Sequence, residues 1–234
     1  MSKIQCVGML LVNSSRSRAY LQMLIKHHLF PAHVILVENN IKKKENIKKF
    51  DKDLVEKYFD ISEDILDTLM SHRLSYEIVV SQNMNSNEVL RALKKRDEKY
   101  FIYSGWSGEI LKGDILNTGQ NFIHMHAGRL PDFRGSTTIY YSILKENTCT
   151  VTALFLNENI DEGRVIKTKD FPKPDDVEII DYVYDSFIRA SVLVEVMRDY
   201  VHTGFFETKA QCIDNGETYF IIHPVLKHIA ILCC

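Results

Sequence analysis

The sequence predicts an α/β fold: a mostly parallel sheet with helices on both faces, then a long helix and a small C-terminal β appendage. Three observations predict it. Apolar runs of strand length alternate with segments of helical period along most of the chain. The first such stretch, 4–12, leads through a helical segment at 16–29 to a second apolar run at Val34 to Val37, which makes a β-α-β unit. Pro172 and Pro174 then mark a boundary before one long amphipathic segment, 176–202.

Each element has its own justification. The helix at 16–29 shows apolar period through Ala19, Leu21, Leu24, Ile25 and Leu29, and Pro31 stops it. Residues 41–53 are lysine-rich with interspersed acids and read as a solvated helix face or loop. Alternation then predicts a helix at 62–72, a strand at 76–80, a helix at 85–97 and a strand at 100–103. A short helix near 108–113, a strand at 120–125, the loop Gly128 to Gly135 and a helix at 136–146 follow. Two strands, 149–156 and 164–171, bracket a polar turn. The 176–202 helix is apolar at Ile180, Val183, Phe187, Val194 and Met197, and Gly204 ends it. Asn215-Gly216 is a hairpin signal, so Tyr219 to Ile222 and Val225 to Leu232 read as the β appendage. The expected organisation is a main domain, 1–172, and a C-terminal helix with its hairpin, 173–234.

Composition narrows the function classes. With 45% hydrophobic and 26% charged residues in 234, the chain has ample material for a core. A formal net charge of −2 gives no global basic field for a polynucleotide. The five cysteines form no Cys-x-x-Cys pair and no even framework, so a reduced, cytoplasmic setting is expected. The apolar start reads as a buried strand rather than a signal peptide. No apolar run approaches the ~20 residues of a membrane span. The Cys233-Cys234 pair reads as a chain end with two thiols rather than a lipidation site.

The chemistry concentrates in three places. Ile123-His124-Met125-His126 ends a buried strand, and period two puts both imidazoles on one side. Ligands bind at the carboxyl ends of strands in such sheets. Leu130 to Gly135 is a stiff loop re-entering a helix, and Asp161-Glu162-Gly163 sits in the later turn. A carboxylate beside an imidazole orients the ring and stabilises its protonated form, which suits acyl transfer. His-x-His on a strand also suits zinc, but no further ligand is evident beyond Asp161, and no metal is expected.

The whole pattern resembles the folate-dependent formyltransferase family. Ile-His-Met-His-Ala-Gly-Arg-Leu-Pro-Asp-Phe-Arg-Gly corresponds to the family's Asn-x-His-Pro-Ser-x-Leu-Pro-x-Tyr-Arg-Gly. Thr150-Val151-Thr152 stands for its Val-Thr strand, and Ile160 to Ile166 for its Ile-Asp-x-Gly-x-Ile-Ile. The resemblance runs from about residue 100 to 170 and implies a Rossmann-like body. It implies that a substrate amine attacks the formyl carbon of 10-formyltetrahydrofolate through a tetrahedral intermediate. His126 is then the family's histidine, Asp161 its aspartate, and His124 stands in place of its asparagine. Ala127-Gly128 replaces the usual proline and serine, and the glycine is expected to loosen the loop.

By the same resemblance the folate meets the loop after Tyr103. Gly105, Trp106, Glu109, Ile110 and Leu111 form one side, and backbone from Asn157 to Ile160 the other. For the acceptor, Ser14 and Ser15 with Arg16 and Arg18 at a helix N-terminus make a phosphate cradle. The bland alternative is N-capping with exposed arginines. Arg134 completes the substrate-binding set. The tail from Thr218 to His228 resembles small formyltransferases of bacterial surface-sugar pathways, nearest those making N-formylated pseudaminic-acid-type sugars. A nucleotide-linked 4-amino-4,6-dideoxyhexose is therefore the implied acceptor. The methionyl-tRNA members carry a basic C-terminal barrel, whereas roughly sixty residues follow Pro172 here. Partners are expected to be small molecules, with no nucleic acid and no membrane, and leftover apolar surface would favour a homodimer. His223, His228 and Tyr219 read as caps on the core or on an interface. A non-catalytic relative that binds folate or a sugar nucleotide, an enzyme for glycinamide ribonucleotide, hydrolysis of the formyl donor, and a zinc enzyme using His124, His126 and Asp161 are the alternatives.

Overall fold

A computed structural model describes residues 3–39, 52–212, 214 and 216–232. Most of the lysine-rich segment 41–53, Asn215 of the turn signal and the Cys233-Cys234 pair lie outside the described residues. Packing divides the chain into two units, residues 1–123 and 124–234.

The first unit contains β1 (Lys3–Ile4), β2 (Val7–Val12), α1 (Ser15–Lys26), β3 (Phe30–Pro31), β4 (Val34–Glu38) and α2 (Lys52–Lys57). It continues with α3 (Ile65–Ser71), β5 (Tyr76–Val80), α4 (Asn87–Lys94), β6 (Tyr100–Ser104) and the start of β7 (Asn121–His126). The main strands run parallel in the order β7-β6-β2-β4-β5. β2 is buried at every position and β4 at all but its last, which is why both read as unbroken apolar runs. Side-chain caps start three helices. Ser14, Asp64 and Ser86 accept from Ser17, Leu66 and Val89 backbone N–H groups.

The second unit takes up β7 and adds β8 (Phe133–Gly135), α5 (Thr138–Glu146), β9 (Thr148–Phe155), β10 (Val165–Pro172), α6 (Asp185–Thr203), β11 (Glu217–Tyr219) and α7 (Pro224–Leu232). Strand order here is β10-β9-β7, with β9 and β10 antiparallel. A 3-10 turn and a π turn precede α6, and Gly204 at φ 80° closes it. Lys167 pairs with Asp199, and Lys169 with Glu195, so α6 is tied to β10.

The architecture is the Rossmann-like α/β arrangement, with a mostly parallel sheet, helices, a long late helix and a C-terminal strand. Three local expectations are corrected. Val225 to Leu232 is helix, not strand, because Pro224 starts it without needing an N–H. Glu217–Tyr219 pairs in parallel with β8, so it forms no hairpin with the residues after it. The 108–113 segment is a turn, with Gly108 and Gly113 at φ 77° and 49°, and a 3-10 turn follows at Leu116–Thr118. The first apolar stretch is also interrupted, since Cys6 sits at φ 62° between β1 and β2.

Candidate active site

β7 is a buried strand whose last residues carry His124 and His126 on one side. The donor atoms of His124, His126 and Asp161 all lie within 4.8 Å of one another. His126 is 3% exposed and its Nδ1 stands 3.4 Å from Asp161 Oδ2. His124 is half-buried. The three residues expected to carry the chemistry are therefore brought together, although Asp161 is distant in sequence. This donor set can also hold a transition metal.

The ring of His126 is oriented by backbone. Its Nε2 is 2.6 Å from the Phe133 carbonyl, which can only accept, so Nε2 carries the hydrogen. The remaining nitrogen, Nδ1, faces the carboxylate. A proton there would be held by Asp161, whose charge favours it. Burial pushes the imidazole pKa below its ordinary value, while Asp161 and the Phe133 carbonyl pull it the other way. The ring is thus a base kept neutral by its surroundings and ready to be stabilised when charged.

Gly128 makes this geometry possible. A Cβ there would fall 2.8 Å from the Phe133 carbonyl oxygen and 2.9 Å from His126 Nε2. The glycine therefore lets the loop close on the ring. The Leu130–Pro131 peptide is cis. Thr138 lies 3.4 Å from the same Nε2 and donates to the Ala127 carbonyl at 2.5 Å. Asp161 sits in the left-handed region at φ 56°, and the Gly135 N–H donates to its Oδ2 at 2.8 Å. Behind the strand, Arg189 of α6 donates to the Met125 carbonyl at 2.5 Å while Asp185 holds its Nε. The carbonyl of Phe133, the N–H of Gly135, Thr138 and Arg189 were not found from sequence. Backbone groups leave no residue signal, and a lone charge in an amphipathic helix points to no site.

The expected substrate-binding residues behave differently. Ser14 is an N-cap. Arg18 is buried and donates to the Ile61 carbonyl and Asn13 Oδ1, each at 2.8 Å. Arg16 donates to Ser104 Oγ at 3.0 Å and the Gly105 carbonyl at 2.6 Å. Both guanidinium groups brace loops of the first unit. Ser15 begins α1 beside its cap. Arg134 is buried too, donating to Glu162 Oε1 at 3.0 Å and the Gly216 carbonyl at 2.9 Å.

The loop after β6 is built on polar clasps. Asn85 donates to the Ile110 carbonyl at 2.9 Å and accepts from Lys112 N–H at 2.7 Å. Glu109 accepts from Met84 N–H at 2.6 Å, and Tyr103 donates to the Glu109 carbonyl at 3.1 Å. A cleft of about 500 Å³ is lined there by Gln82, Asn83, Asn85, Glu109, Ile110 and Lys112, a volume in the range of small-molecule sites. Trp106 is half-buried, while Gly105 and Leu111 are buried away from that lining. A Cβ on Gly105 would collide with the Tyr103 hydroxyl at 2.0 Å. Asn157 holds an Asx turn through Asn159 N–H at 3.1 Å, and Ile160 is exposed.

Residues 8–179 match the family model described as formyl transferase. The chain belongs to the formyl transferase family. Among curated members, the methionyl-tRNA formyltransferase of Finegoldia magna is 24% identical over 184 residues, which is 77% of this chain and 54% of that protein. The match thus spans about half the length of that relative and about a third of other curated relatives. Among solved structures, an N-formyltransferase from Helicobacter canadensis in complex with folinic acid and dTDP-3-aminofucose shares the fold. Its TM-score is 0.61 at 15% identity, over 92% of this chain and 70% of that one. A phosphoribosylglycinamide formyltransferase from Bacillus halodurans aligns with a TM-score of 0.58 at 13% identity, over 87% of this chain and 97% of that one.

Proposed function

We propose that this formyl transferase family member moves a formyl group from 10-formyltetrahydrofolate to the amine of a nucleotide-linked amino sugar, of the 4-amino-4,6-dideoxyhexose type. The observation that carries the reading is the meeting of His124, His126 and Asp161 within 4.8 Å. Support comes also from the family match over residues 8–179.

In this reading the amine attacks the formyl carbon and negative charge develops on the formyl oxygen. A donor N–H from His124 stabilises that oxyanion, in the role the family gives to asparagine. His126, neutral and oriented by the Phe133 carbonyl, takes the proton leaving the amine at Nδ1. Asp161 stabilises the imidazolium so formed. The proton is then passed to the folate nitrogen as the carbon–nitrogen bond to the donor breaks. No metal takes part in any of these steps. The cleft beside Glu109 and Ile110 is the proposed folate entrance, with Trp106 and the Gly105 backbone nearby. Asn157 and Ile160 are the proposed folate-binding residues of the second unit. Ser14, Ser15, Arg16, Arg18 and Arg134 are the proposed substrate-binding residues, and the three arginines also brace their own loops.

The acceptor is tested by a mass screen of amino-sugar nucleotides incubated with the protein and 10-formyltetrahydrofolate. A product heavier by one formyl group in place of hydrogen is expected from at least one 4-amino sugar. Formylation of glycinamide ribonucleotide alone would replace the sugar assignment.

A further inference from the structure

Asp161 owes its place to more than its own loop. It occupies left-handed backbone at φ 56°, and two residues on, Gly163 has no room for a side chain, since a Cβ would lie 1.7 Å from the Phe155 carbonyl oxygen. The Asp161–Gly163 segment is tied from outside by the chain that follows α6. Val165 and Lys209 exchange two backbone hydrogen bonds at 2.8 Å each. Arg164 donates to Thr208 Oγ1 at 2.8 Å and to the Thr208 carbonyl at 3.0 Å. Gln211 then reaches the catalytic loop itself. Its Nε2 donates to the Asp161 carbonyl at 2.8 Å and to the Gly163 carbonyl at 2.6 Å.

We propose that Gln211 is a positioning residue for Asp161. A side-chain amide has two N–H donors on one nitrogen, and Gln211 commits both to this one turn. The orientation is fixed, because turning the amide over would set its oxygen against two carbonyl oxygens. Gln211 Oε1 is consequently buried with no partner among the described residues. The Gly135 N–H holds the Asp161 carboxylate, and Gln211 holds the peptide from which that carboxylate hangs. Together they keep Oδ2 in front of His126 Nδ1.

The test uses Gln211→Leu, with Thr208→Ala as a control in the same segment. The kinetic arm rests on the proposed catalytic role of Asp161. Gln211→Leu lowers kcat by about tenfold to a hundredfold, the scale of a small misplacement of a catalytic group, with KM for both substrates within about twofold. Thr208→Ala leaves kcat within about twofold. A second arm needs no activity: amide exchange at Gly135 speeds up in Gln211→Leu, while exchange at Leu10 in β2 stays as in the wild type. Should Gln211→Leu fold poorly, Gln211→Glu keeps the size, lacks the donors and reads the same two quantities. Wild-type kcat and unchanged Gly135 exchange overturn the proposal, as does an equal loss in Thr208→Ala. A wild-type protein without formyl transfer sinks the proposed function, while the Gly135 exchange still decides the role of Gln211.

Discussion

At position 124 an imidazole stands where the family usually has an amide. A neutral imidazole donates from one ring nitrogen only, so it can replace the amide's N–H in one tautomer. His124→Ala is therefore expected to lower turnover by about a hundredfold, the usual effect of losing one oxyanion donor. A steady-state assay showing an unchanged rate would remove His124 from the chemistry. His126 makes a second prediction. Its pKa is depressed in the folded protein, chiefly by burial. The unfolded chain therefore binds the proton more readily, and the contribution to stability is present above the ordinary value of 6.5 and lost as pH falls below it. The fall in Tm from about pH 7.5 to about pH 5.5 should shrink in His126→Gln; an identical fall in both proteins speaks against a depressed histidine. The thiol of Cys149, fully buried and pushed up to about 12, should escape alkylation in the native protein, while exposed Cys6 and Cys212 react. Peptide mass mapping after brief iodoacetamide treatment reads this, and early labelling of Cys149 would contradict the burial.

At the scale of elements, α6 does more than cover the sheet. Arg189 clamps the Met125 carbonyl between the two histidines, and Asp185 holds the guanidinium in place. Arg189→Met removes a charge-assisted hydrogen bond and leaves that carbonyl without its donor. A loss of about 1.5–3 kcal/mol in unfolding free energy is expected from a urea titration. A change below about 0.5 kcal/mol would show the clamp to be dispensable. These elements also mark where sequence reading succeeded and where it stopped. β2 and β4 were legible because a strand buried on both faces is an unbroken apolar run. Val225 to Leu232 was not, because a short apolar run fits strand and helix alike. The sequence predicts a strand at Tyr219 to Ile222, whereas the strand is Glu217–Tyr219 and its partner is β8, some eighty residues earlier. Such a pairing leaves no local pattern. The same holds for Gln211 and Asp161, whose bond joins two loops through backbone carbonyls.

For the whole molecule, charge and constellation matter more than any one contact. The formal net charge of −2 supplies no long-range field for a polyanion. Fluorescence anisotropy with a labelled tRNA at physiological salt is expected to show no saturation below about 10 μM, and tight binding would turn attention to the methionyl-tRNA relatives. No helix among the described residues is long and apolar enough to cross a membrane. The fold class was legible from alternating periods. The site is legible as a motif, in that the sequence pattern points to His124, His126 and Asp161, which the fold brings within 4.8 Å. The arginines at 16 and 18 show the limit. Their charge points to a ligand, but it does not show which of a guanidinium's five donors loop carbonyls take.

The measurement that bears most directly on all this is tetrahydrofolate release from 10-formyltetrahydrofolate, followed in the presence and absence of an amino-sugar nucleotide, for the wild type and Asp161→Asn. Release that requires the acceptor and falls by about a hundredfold or more in Asp161→Asn is the predicted result. Release without any acceptor, or an Asp161→Asn protein as fast as the wild type, would contradict direct transfer through the His126–Asp161 pair.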